Sequence, residues 1–162
     1  MVNINSSNNQ IRADNQQGRL DAWWITGFVD GEGCFSVSVF KNATTVAGVQ
    51  IFPEFVVTQG AKSLLALKNL QDFFSCGRIY ENRRKDNHRE NLYRYCVRSR
   101  KDLQEKIIPF FEKYPLKTSK QQDFLVFCKV MDMIENKTHL TSEGLMIIRE
   151  LAATTNRRKR RI

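Results

Sequence analysis

Residues 20–33 read LDAWWITGFVDGEG, an apolar stretch that closes on two carboxylates set among glycines. Its apolar residues recur at intervals of three and four, which is the spacing of a helix with one buried face. The residues with this spacing are Leu20, Trp23, Trp24, Gly27 and Phe28. We therefore predict a helix over residues 19–30 that Gly31 and Gly33 bring to an end.

Apolar and polar residues alternate in the two segments that follow this helix, as they do in half-buried strands. The first strand is predicted over residues 34–40, CFSVSVF, and the second over residues 49–59, VQIFPEFVVTQ. The side chains predicted to face the core are Phe35, Val37, Val39, Val49, Ile51, Phe55 and Val57. Pro53 disturbs the second strand, because proline has no amide proton for a neighbouring strand, and it favours an edge or a bulge.

A second helix and a hairpin come next. Helical periodicity returns over residues 61–76 and ends at Gly77. Residues 78–84 and 91–99 flank the polar turn KDNHRE and predict two hairpin strands that are rich in arginine, tyrosine and asparagine.

The rest of the chain predicts helices over residues 101–114, 119–134 and 142–153. Thr141 is placed to cap the last of them. The order α-β-β-α-β-β-α, followed by further helices, indicates an α+β domain whose helices cover one face of a four-stranded antiparallel sheet. The predicted organisation is a polar N-terminal tail over residues 1–17, one domain over 18–155 and a basic C-terminal tail over 156–162.

The chain has 162 residues, of which 41% are hydrophobic, enough to bury a core as one domain. No apolar run approaches the roughly 20 residues that cross a bilayer, and the first residues are polar where a secretory signal would be apolar. We therefore expect a soluble, intracellular protein. Its cysteines, Cys34, Cys76, Cys96 and Cys128, are far apart, which favours free thiols in a reducing compartment over zinc or disulfide chemistry.

The net charge is +9 and the isoelectric point is near 9.6. Such an excess of positive charge favours a polyanionic partner. Lysines and arginines lie along the whole chain rather than on one face of an amphipathic helix, so nucleic acid is the preferred partner and a membrane surface is not.

The predicted sheet has one uncovered face that carries hydrogen-bonding side chains. These are Ser36, Ser38, Gln50, Glu54, Tyr80, Asn82, Arg94 and Arg98. A two-stranded ribbon with such side chains fits the DNA major groove, where all four base pairs are distinguishable. An ordinary solvated sheet face explains the same pattern equally well. The hairpin-turn cations Arg83, Arg84, Lys85 and Arg89, and the basic tail, are predicted to contact phosphates.

Asp30 and Glu32 lie two residues apart where the first helix gives way to a strand, with glycines on either side. Carboxylate and carbonyl oxygens are the ligands that Mg²⁺ takes, and a carboxylate inside a basic protein suggests metal-assisted hydrolysis of a phosphodiester. By itself the pattern is more often a helix end whose aspartate, here Asp30, bonds to nearby backbone amides.

The segment ITGFVDGEG at residues 25–33 resembles the LAGLIDADG motif of homing endonucleases, and one copy is present. The predicted order of elements is similar to the half-site unit of that family, and PLKTSKQQDF at residues 115–124 and HLTSEGL at residues 139–145 look like segments of its later helices. The resemblance implies a homodimer in which two motif helices pack together through Trp23, Trp24, Thr26 and Gly27. Thr26 replaces a smaller alanine and is a candidate for a hydrogen bond across that interface.

The resemblance also implies an active site and a substrate. Glu32 matches the metal ligand, with the Gly31 carbonyl as a second ligand, whereas Asp30 matches a structural acid. Gln59 matches a residue that orients a water molecule. The active-site lysine matches either Lys120 or Lys117, and Lys120 is preferred because it keeps the register into the following helix.

The implied function is hydrolysis of a long pseudo-palindromic double-stranded DNA site, bound on the concave face of the sheet. Mg²⁺, or Mn²⁺ in its place, would assist this hydrolysis. The cut DNA would carry short 3′ overhangs, and the cleavage would support intron mobility. The implied location is the cytoplasm or nucleoid of a prokaryote or an organelle matrix. Two alternatives remain, an RNA maturase acting on intron RNA and a DNA-binding regulator without catalysis. Glu32 favours cleavage, because a pure binder has no need of a metal-binding carboxylate.

Overall fold

The first helix, α1 (Ala22–Glu32), begins at Asp21, whose carboxylate accepts hydrogen bonds from the backbone amides of Trp23 at 2.9 Å and Trp24 at 3.0 Å. An aspartate here satisfies amides that have no partner within the helix. Gly31 was predicted to stop the helix but lies inside it, and α1 ends at Gly33. A side chain at Gly33 would meet the Val29 side chain at 2.6 Å, so only glycine fits where the chain turns from helix to strand.

The computed structural model describes residues 20–45, 48–82 and 91–156. After α1 come β1 (Gly33–Lys41), β2 (Val49–Gly60), a 3₁₀ turn (Ala61–Ser63), α2 (Leu64–Phe74), β3 (Arg78–Asn82), β4 (Leu92–Val97), α3 (Arg100–Asp102), a π-helical turn (Leu103–Ile107), α4 (Ile108–Lys113), α5 (Lys120–Glu135), a second 3₁₀ turn (Thr138–Leu140) and α6 (Ser142–Asn156). The predicted tail over 1–17, the hairpin turn with Arg83, Arg84, Lys85 and Arg89, and residues 157–162 lie outside the described residues.

The four strands form one antiparallel sheet in the order β1-β2-β4-β3, which confirms the predicted α+β fold. Pro53 lies within an interior strand, opposite Val37 of β1. The pairing between β2 and β4 stops at Phe55 and Val97, so the described part of the sheet gives Pro53 a neighbour on one side only. Pro53 therefore has no β4 residue opposite it, and the predicted edge environment exists locally.

Helices pack on one face of this sheet around a cluster of aromatic rings. Phe35 of β1 stacks on Phe55 of β2 with centroids 5.0 Å apart, and three rings from the helices meet Phe35 edge-on. Those three are Phe111, Phe124 and Phe127, all buried. Each fully buried ring stabilises the fold by about 1.5–3 kcal/mol relative to exposure. The aromatic core therefore fixes α4 and α5 against β1, next to the C-terminal end of α1.

Helix boundaries follow the predictions with a few differences. Ser75 ends α2 in the left-handed conformation (φ 49°), two residues before Gly77 (φ 76°). The helix predicted over residues 101–114 contains a π turn that ends two residues before Pro109, and proline lacks the amide proton that a regular helix needs. The Thr141 hydroxyl accepts a hydrogen bond from the Gly144 amide at 3.0 Å, which confirms the cap. Among the described helices, none is long and apolar enough to cross a membrane.

Candidate active site and nucleic-acid interface

Asp30 ties the end of α1 to the loop that precedes α5. Its carboxylate accepts hydrogen bonds from the Lys117 amide at 2.6 Å, the Thr118 amide at 3.2 Å and the Thr118 hydroxyl at 2.6 Å. Burial raises the pKa of this carboxyl, but the bonds from Thr118 and Lys117 and the charge of Lys120 outweigh burial and hold the pKa below its usual value. These contacts support the structural role expected of Asp30.

Lys120 extends back toward the same helix end. Its ammonium group donates to the Val29 carbonyl at 3.0 Å. Burial lowers the pKa of Lys120, and the neighbouring groups Cys34, Asp30 and Glu32 oppose that shift, so the cation lies within the field of the acidic pair.

Lys117 takes a different direction. It is exposed, and its ammonium group lies 5.6 Å from the centre of the Trp23 ring. Of the two candidate lysines, the geometry therefore brings Lys120 to the acidic end of α1 and Lys117 to its exposed aromatic side.

Glu32 is the last residue of α1 and is exposed, as is Gly31 before it. No atom lies within 4 Å of the position that a side chain at Gly31 would take, so its backbone is open to a ligand. Gln59 lies at the same end of the sheet, two residues beyond the pair formed by Gly33 and Val57, and is half-buried opposite Tyr93. Within the described ranges no hydrogen bond joins Gln59 to Glu32 or Lys120.

A divalent cation would find only part of its ligand set in the part of the chain that the structure describes. Across the described residues, no group of three or more histidine, cysteine, aspartate or glutamate side chains is placed to hold a metal ion. Glu32 contributes one carboxylate and the Gly31 carbonyl is a second candidate ligand, whereas Mg²⁺ takes six oxygen ligands and commonly shares them among protein, water and phosphate. The donor chemistry fits a hard cation, and the described residues of one chain supply only part of its ligands.

The side of α1 that was predicted to be buried instead exposes two large aromatic residues, because Ile25, Thr26 and Val29 on the other side enter the core. Trp23 is 53% exposed and Trp24 is 44% exposed. Trp24 stacks on Phe28 with centroids 5.0 Å apart. Gly27 lies between them and is also exposed, with no atom within 4 Å of the position that a side chain would occupy. A smooth apolar surface with a glycine at its centre is typical of a packing interface.

Thr26 does not belong to that surface. It is 2% exposed, and its hydroxyl donates to the Tyr114 carbonyl of the same chain at 3.1 Å. The hydrogen bond across an interface that the sequence suggested for Thr26 is thus replaced by an intramolecular one, because the next residue, Gly27, is the one that faces outward.

The open sheet face carries the residues predicted for it. The strand register places eight side chains opposite the helix-covered side. They are Ser36, Ser38, Gln50, Glu54, Tyr80, Asn82, Arg94 and, just beyond β4, Arg98. Gln50 accepts a hydrogen bond from the Asn42 amide group at 3.1 Å, and Tyr80 is 42% exposed. The face is therefore polar and in part already ordered by contacts within the chain.

Glu54 differs from its neighbours because it is only 8% exposed. Its carboxylate accepts a hydrogen bond from Arg98 Nε at 2.5 Å and one from an Arg94 terminal nitrogen at 3.4 Å. The Arg98 guanidinium lies 5.5 Å from the Phe52 ring centre and 5.2 Å from that of Tyr80. The hydrogen bond to Glu54 raises the pKa of Arg98.

Sequence reasoning missed two contacts of this region. The role of Phe52 beside Arg98 was not anticipated, although strict alternation puts Phe52 on the same face as Glu54. The anchoring of Asp30 by Thr118 joins residues 88 positions apart, and no local pattern signals such a contact. All four cysteines lie within the described ranges, and none forms a disulfide, as predicted.

Comparison with known proteins agrees with this geometry. A family model described as LAGLIDADG endonuclease matches residues 25–131. A probable intron-encoded endonuclease of Neurospora crassa is 35% identical over 130 residues, which make up 79% of this chain and 26% of that protein. The crystal structure of the homing endonuclease I-TnaI has a TM-score of 0.78 at 41% identity, covering 85% of this chain and 89% of that chain.

A second solved structure, that of I-SmaMI bound to an uncleaved DNA target in the presence of calcium ions, has a TM-score of 0.78 at 37% identity. The match covers 86% of this chain and 46% of that one. The chain spans about a quarter of the length of the first curated relatives that it matches, 26% in two of them. The similarity therefore concerns one unit of fold, and the chemistry has to be argued from the site.

Proposed function

The chain belongs to the LAGLIDADG endonuclease family, and we propose on that premise that it is a homing endonuclease that hydrolyses phosphodiester bonds of double-stranded DNA at a specific site. The observation that carries the proposal is the position of Lys120, held by the Val29 carbonyl beside Glu32 at the end of a polar, uncovered sheet. A cation next to an exposed carboxylate suits an anionic phosphodiester that must be bound and hydrolysed.

The active form in this proposal is a homodimer that packs through α1. Two exposed tryptophans beside an unfilled Gly27 support it, since packing two copies would bury both rings and bring the helix axes close. The same packing would bring two Glu32 carboxylates together. The described residues of one chain hold only part of a metal site, and a second copy would supply a further carboxylate.

We assign the roles of the residues from the family resemblance, and the positions of Lys120 and Asp30 support that assignment. Glu32, with the Gly31 carbonyl, would hold Mg²⁺, or Mn²⁺ in its place, which supplies Lewis-acid stabilisation of the developing charge. Lys120 places a positive charge beside the scissile phosphate and stabilises the extra negative charge of the transition state. Gln59 orients the attacking water from the end of β2. Asp30 touches no substrate and holds the loop that carries Lys120.

The DNA partner is supported by the open sheet face and by the net charge of +9. A dimer with two equivalent faces predicts a long, pseudo-palindromic site. We propose short 3′ overhangs, as the resemblance implies, and a role in intron mobility, in line with the intron-encoded relatives. The corresponding location is inside a cell or organelle that contains the target DNA.

The test is cleavage of a randomised duplex library by the purified protein with Mg²⁺, with Ca²⁺ in a parallel reaction. Glu32→Gln is the test variant, and Glu150→Gln, an exposed glutamate on α6, is the matched control. Sedimentation equilibrium on the same samples gives the oligomeric state. We expect one long pseudo-palindromic site to be cut only with Mg²⁺ and intact Glu32, by a dimer.

Other outcomes point to other functions. Recovery of one bound DNA site from the Ca²⁺ reaction without cutting in Mg²⁺ would identify a DNA-binding regulator, and failure to select any DNA would favour a maturase that acts on intron RNA. Unchanged cleavage by Glu32→Gln would overturn the assignment of the metal-binding carboxylate.

A further inference from the structure

The sheet face contains one nearly buried carboxylate, and both of its oxygens face an arginine. Glu54 is 8% exposed as a residue, whereas the side chains of Arg94 and Arg98 are 38% and 41% exposed. Fully exposed ion pairs are weak and mobile. Here the carboxylate has little freedom to move, because it lies within β2 opposite Ser36. A fixed acceptor of this kind determines where its arginine partners point.

Two aromatic rings restrict Arg98 further. The guanidinium carbon lies 5.5 Å from the Phe52 ring centre and 5.2 Å from the Tyr80 ring centre, distances at which a cation and a ring attract one another. The Nε atom donates to Glu54. The two terminal nitrogens of a guanidinium carry four further hydrogens, and the side chain of Arg98 is 41% exposed, which leaves these hydrogens available to a ligand.

We propose that Glu54 is a positioning residue that does not touch DNA. It holds Arg98 in the orientation that reads a guanine in the major groove of each half-site, an inference that rests on the proposed function. Two parallel donors match the O6 and N7 acceptors of guanine, and adenine offers a donor where guanine has O6. An arginine that is already held in place loses less conformational freedom on binding. Base preference at this position thus depends on Glu54 as well as on Arg98.

The strand register indicates where this guanine lies. Glu54 pairs with Ser36, three residues from Gly33, where β1 begins next to Glu32. Three residues of strand span about 10 Å at ~3.3 Å per residue, which corresponds to about three base pairs of duplex at ~3.4 Å each. The preferred guanine therefore lies about three base pairs outward from the active site in each half-site.

The charge of Glu54 has a second effect on DNA binding. One carboxylate between two guanidinium groups leaves a single net positive charge at this spot. Neutralising the Glu54 carboxylate would leave both positive charges uncompensated. DNA would then bind more tightly without regard to sequence, and this binding would depend more steeply on salt concentration. A carboxylate that contacted a base itself would behave differently, because its loss would change the base preference directly.

The test is selection of bound duplexes from a randomised library with Ca²⁺ in place of Mg²⁺, followed by sequencing. Four proteins are compared: wild type, Arg98→Lys, Glu54→Gln and Arg78→Lys. Arg78 is an exposed arginine of β3 on the same face, and within the described residues it has no ion pair and stacks on no ring. Thermal unfolding of each variant checks that it is folded.

The wild type is expected to prefer guanine at one position of each half-site by roughly ten- to a hundredfold. Arg98→Lys abolishes that preference, since an ammonium group lacks the planar fork, and Arg78→Lys keeps it. Glu54→Gln lowers the preference severalfold while raising affinity for random DNA. If Glu54→Gln does not fold, Glu54→Asp takes its place: it keeps the charge, shortens the reach to Arg98 and should likewise lower the guanine preference.

Four results would overturn the inference. These are a selected site without guanine near the expected position, a guanine preference that survives Arg98→Lys, a guanine preference that Glu54→Gln leaves unchanged, and a preference for another base that depends on Glu54 alone. In each of them the wild type still selects a DNA site, so the proposed function stands. Failure of the wild type to select any DNA would instead reject the proposed function.

Discussion

The acidic end of α1 and the open sheet face are both polar, but they are held together in different ways. At the helix end, backbone groups provide the anchors: Asp30 binds the amides of Lys117 and Thr118, and Lys120 binds a backbone carbonyl. On the sheet face, side chains hold side chains, with Glu54 bridging two arginines. Backbone anchors persist through substitution of neighbouring residues. The helix end is therefore suited to constant chemistry and the sheet face to a target that can change.

Removal of the Lys120 ammonium group is expected to have the largest effect, and it tests whether the helix end serves cleavage rather than base recognition. Lys120→Met keeps most of the side-chain volume but loses the charge beside Glu32. We expect cleavage of the selected DNA site to fall about a hundredfold or more, as for loss of a charge that stabilises a transition state, and base preference to stay unchanged. The measurement is the single-turnover cleavage rate together with the binding constant in Ca²⁺.

Lys117→Met and Lys129→Met serve as comparisons for this variant. Lys117 lies beside Trp23, so its loss should change cleavage by no more than a few fold, and Lys129 is an exposed residue of α5. If Lys117→Met lost most of the cleavage rate and Lys120→Met lost little, Lys117 rather than Lys120 would be the active-site lysine.

Asp30→Asn tests whether backbone anchoring positions the lysine. Asparagine has one acceptor oxygen, and its NH₂ group would face one of the two backbone amides that donate to Asp30. Hydrogen bonds to a charged acceptor are therefore lost, which lowers the free energy of unfolding by about 1–3 kcal/mol. We expect a lower urea midpoint and a roughly tenfold slower cleavage that extra Mg²⁺ does not restore. Asp132→Asn, an exposed aspartate of α5, is the control. Full activity of Asp30→Asn would mean that the loop is positioned by other contacts.

The same carboxylate gives a pH dependence of known sign. The folded pKa of Asp30 lies below its unfolded value, which is near 3.9. Its contribution to stability is therefore present above the unfolded value and is lost as pH falls through the folded value. Urea unfolding between pH 3 and pH 6 should show a steeper acid loss in the wild type than in Asp30→Asn. Parallel pH curves would show that Asp30 has no stabilising partners in the folded chain.

The sequence was most informative where contacts are local. Alternation and helical spacing predicted the order of elements and the faces of β1 and β2, because side-chain direction follows directly from strand period. They did not reveal that Glu54 is buried between arginines 40 and 44 residues away, since that contact depends on strand order. Nor did they show that Thr26 faces inward, because the turn of α1 depends on how Tyr114 packs.

Thr26→Val tests that inward orientation. Valine keeps the shape of threonine but leaves the Tyr114 carbonyl without its hydrogen bond, at a cost of about 1–2 kcal/mol. We expect lower stability toward urea and an unchanged dimer dissociation constant by sedimentation equilibrium. Thr26→Ser keeps the hydroxyl and should keep this hydrogen bond. Weaker dimerisation with unchanged stability would place the hydroxyl across the interface instead.

Gly27→Ala has the smallest expected effect on a single chain. It distinguishes an α1 that faces solvent from an α1 that packs against a second copy. An added methyl group meets no atom within 4 Å in the chain alone, and alanine favours a helix over glycine by up to about 1 kcal/mol. If α1 faces solvent in the working protein, the variant is slightly more stable and as active as the wild type. If two copies of α1 pack at Gly27, the methyl group separates them, and we expect the dimer dissociation constant to rise about tenfold, which is ~1.4 kcal/mol. Only a packed α1 face therefore predicts both results together: the variant is more stable than the wild type at low protein concentration, and it forms less dimer at high protein concentration.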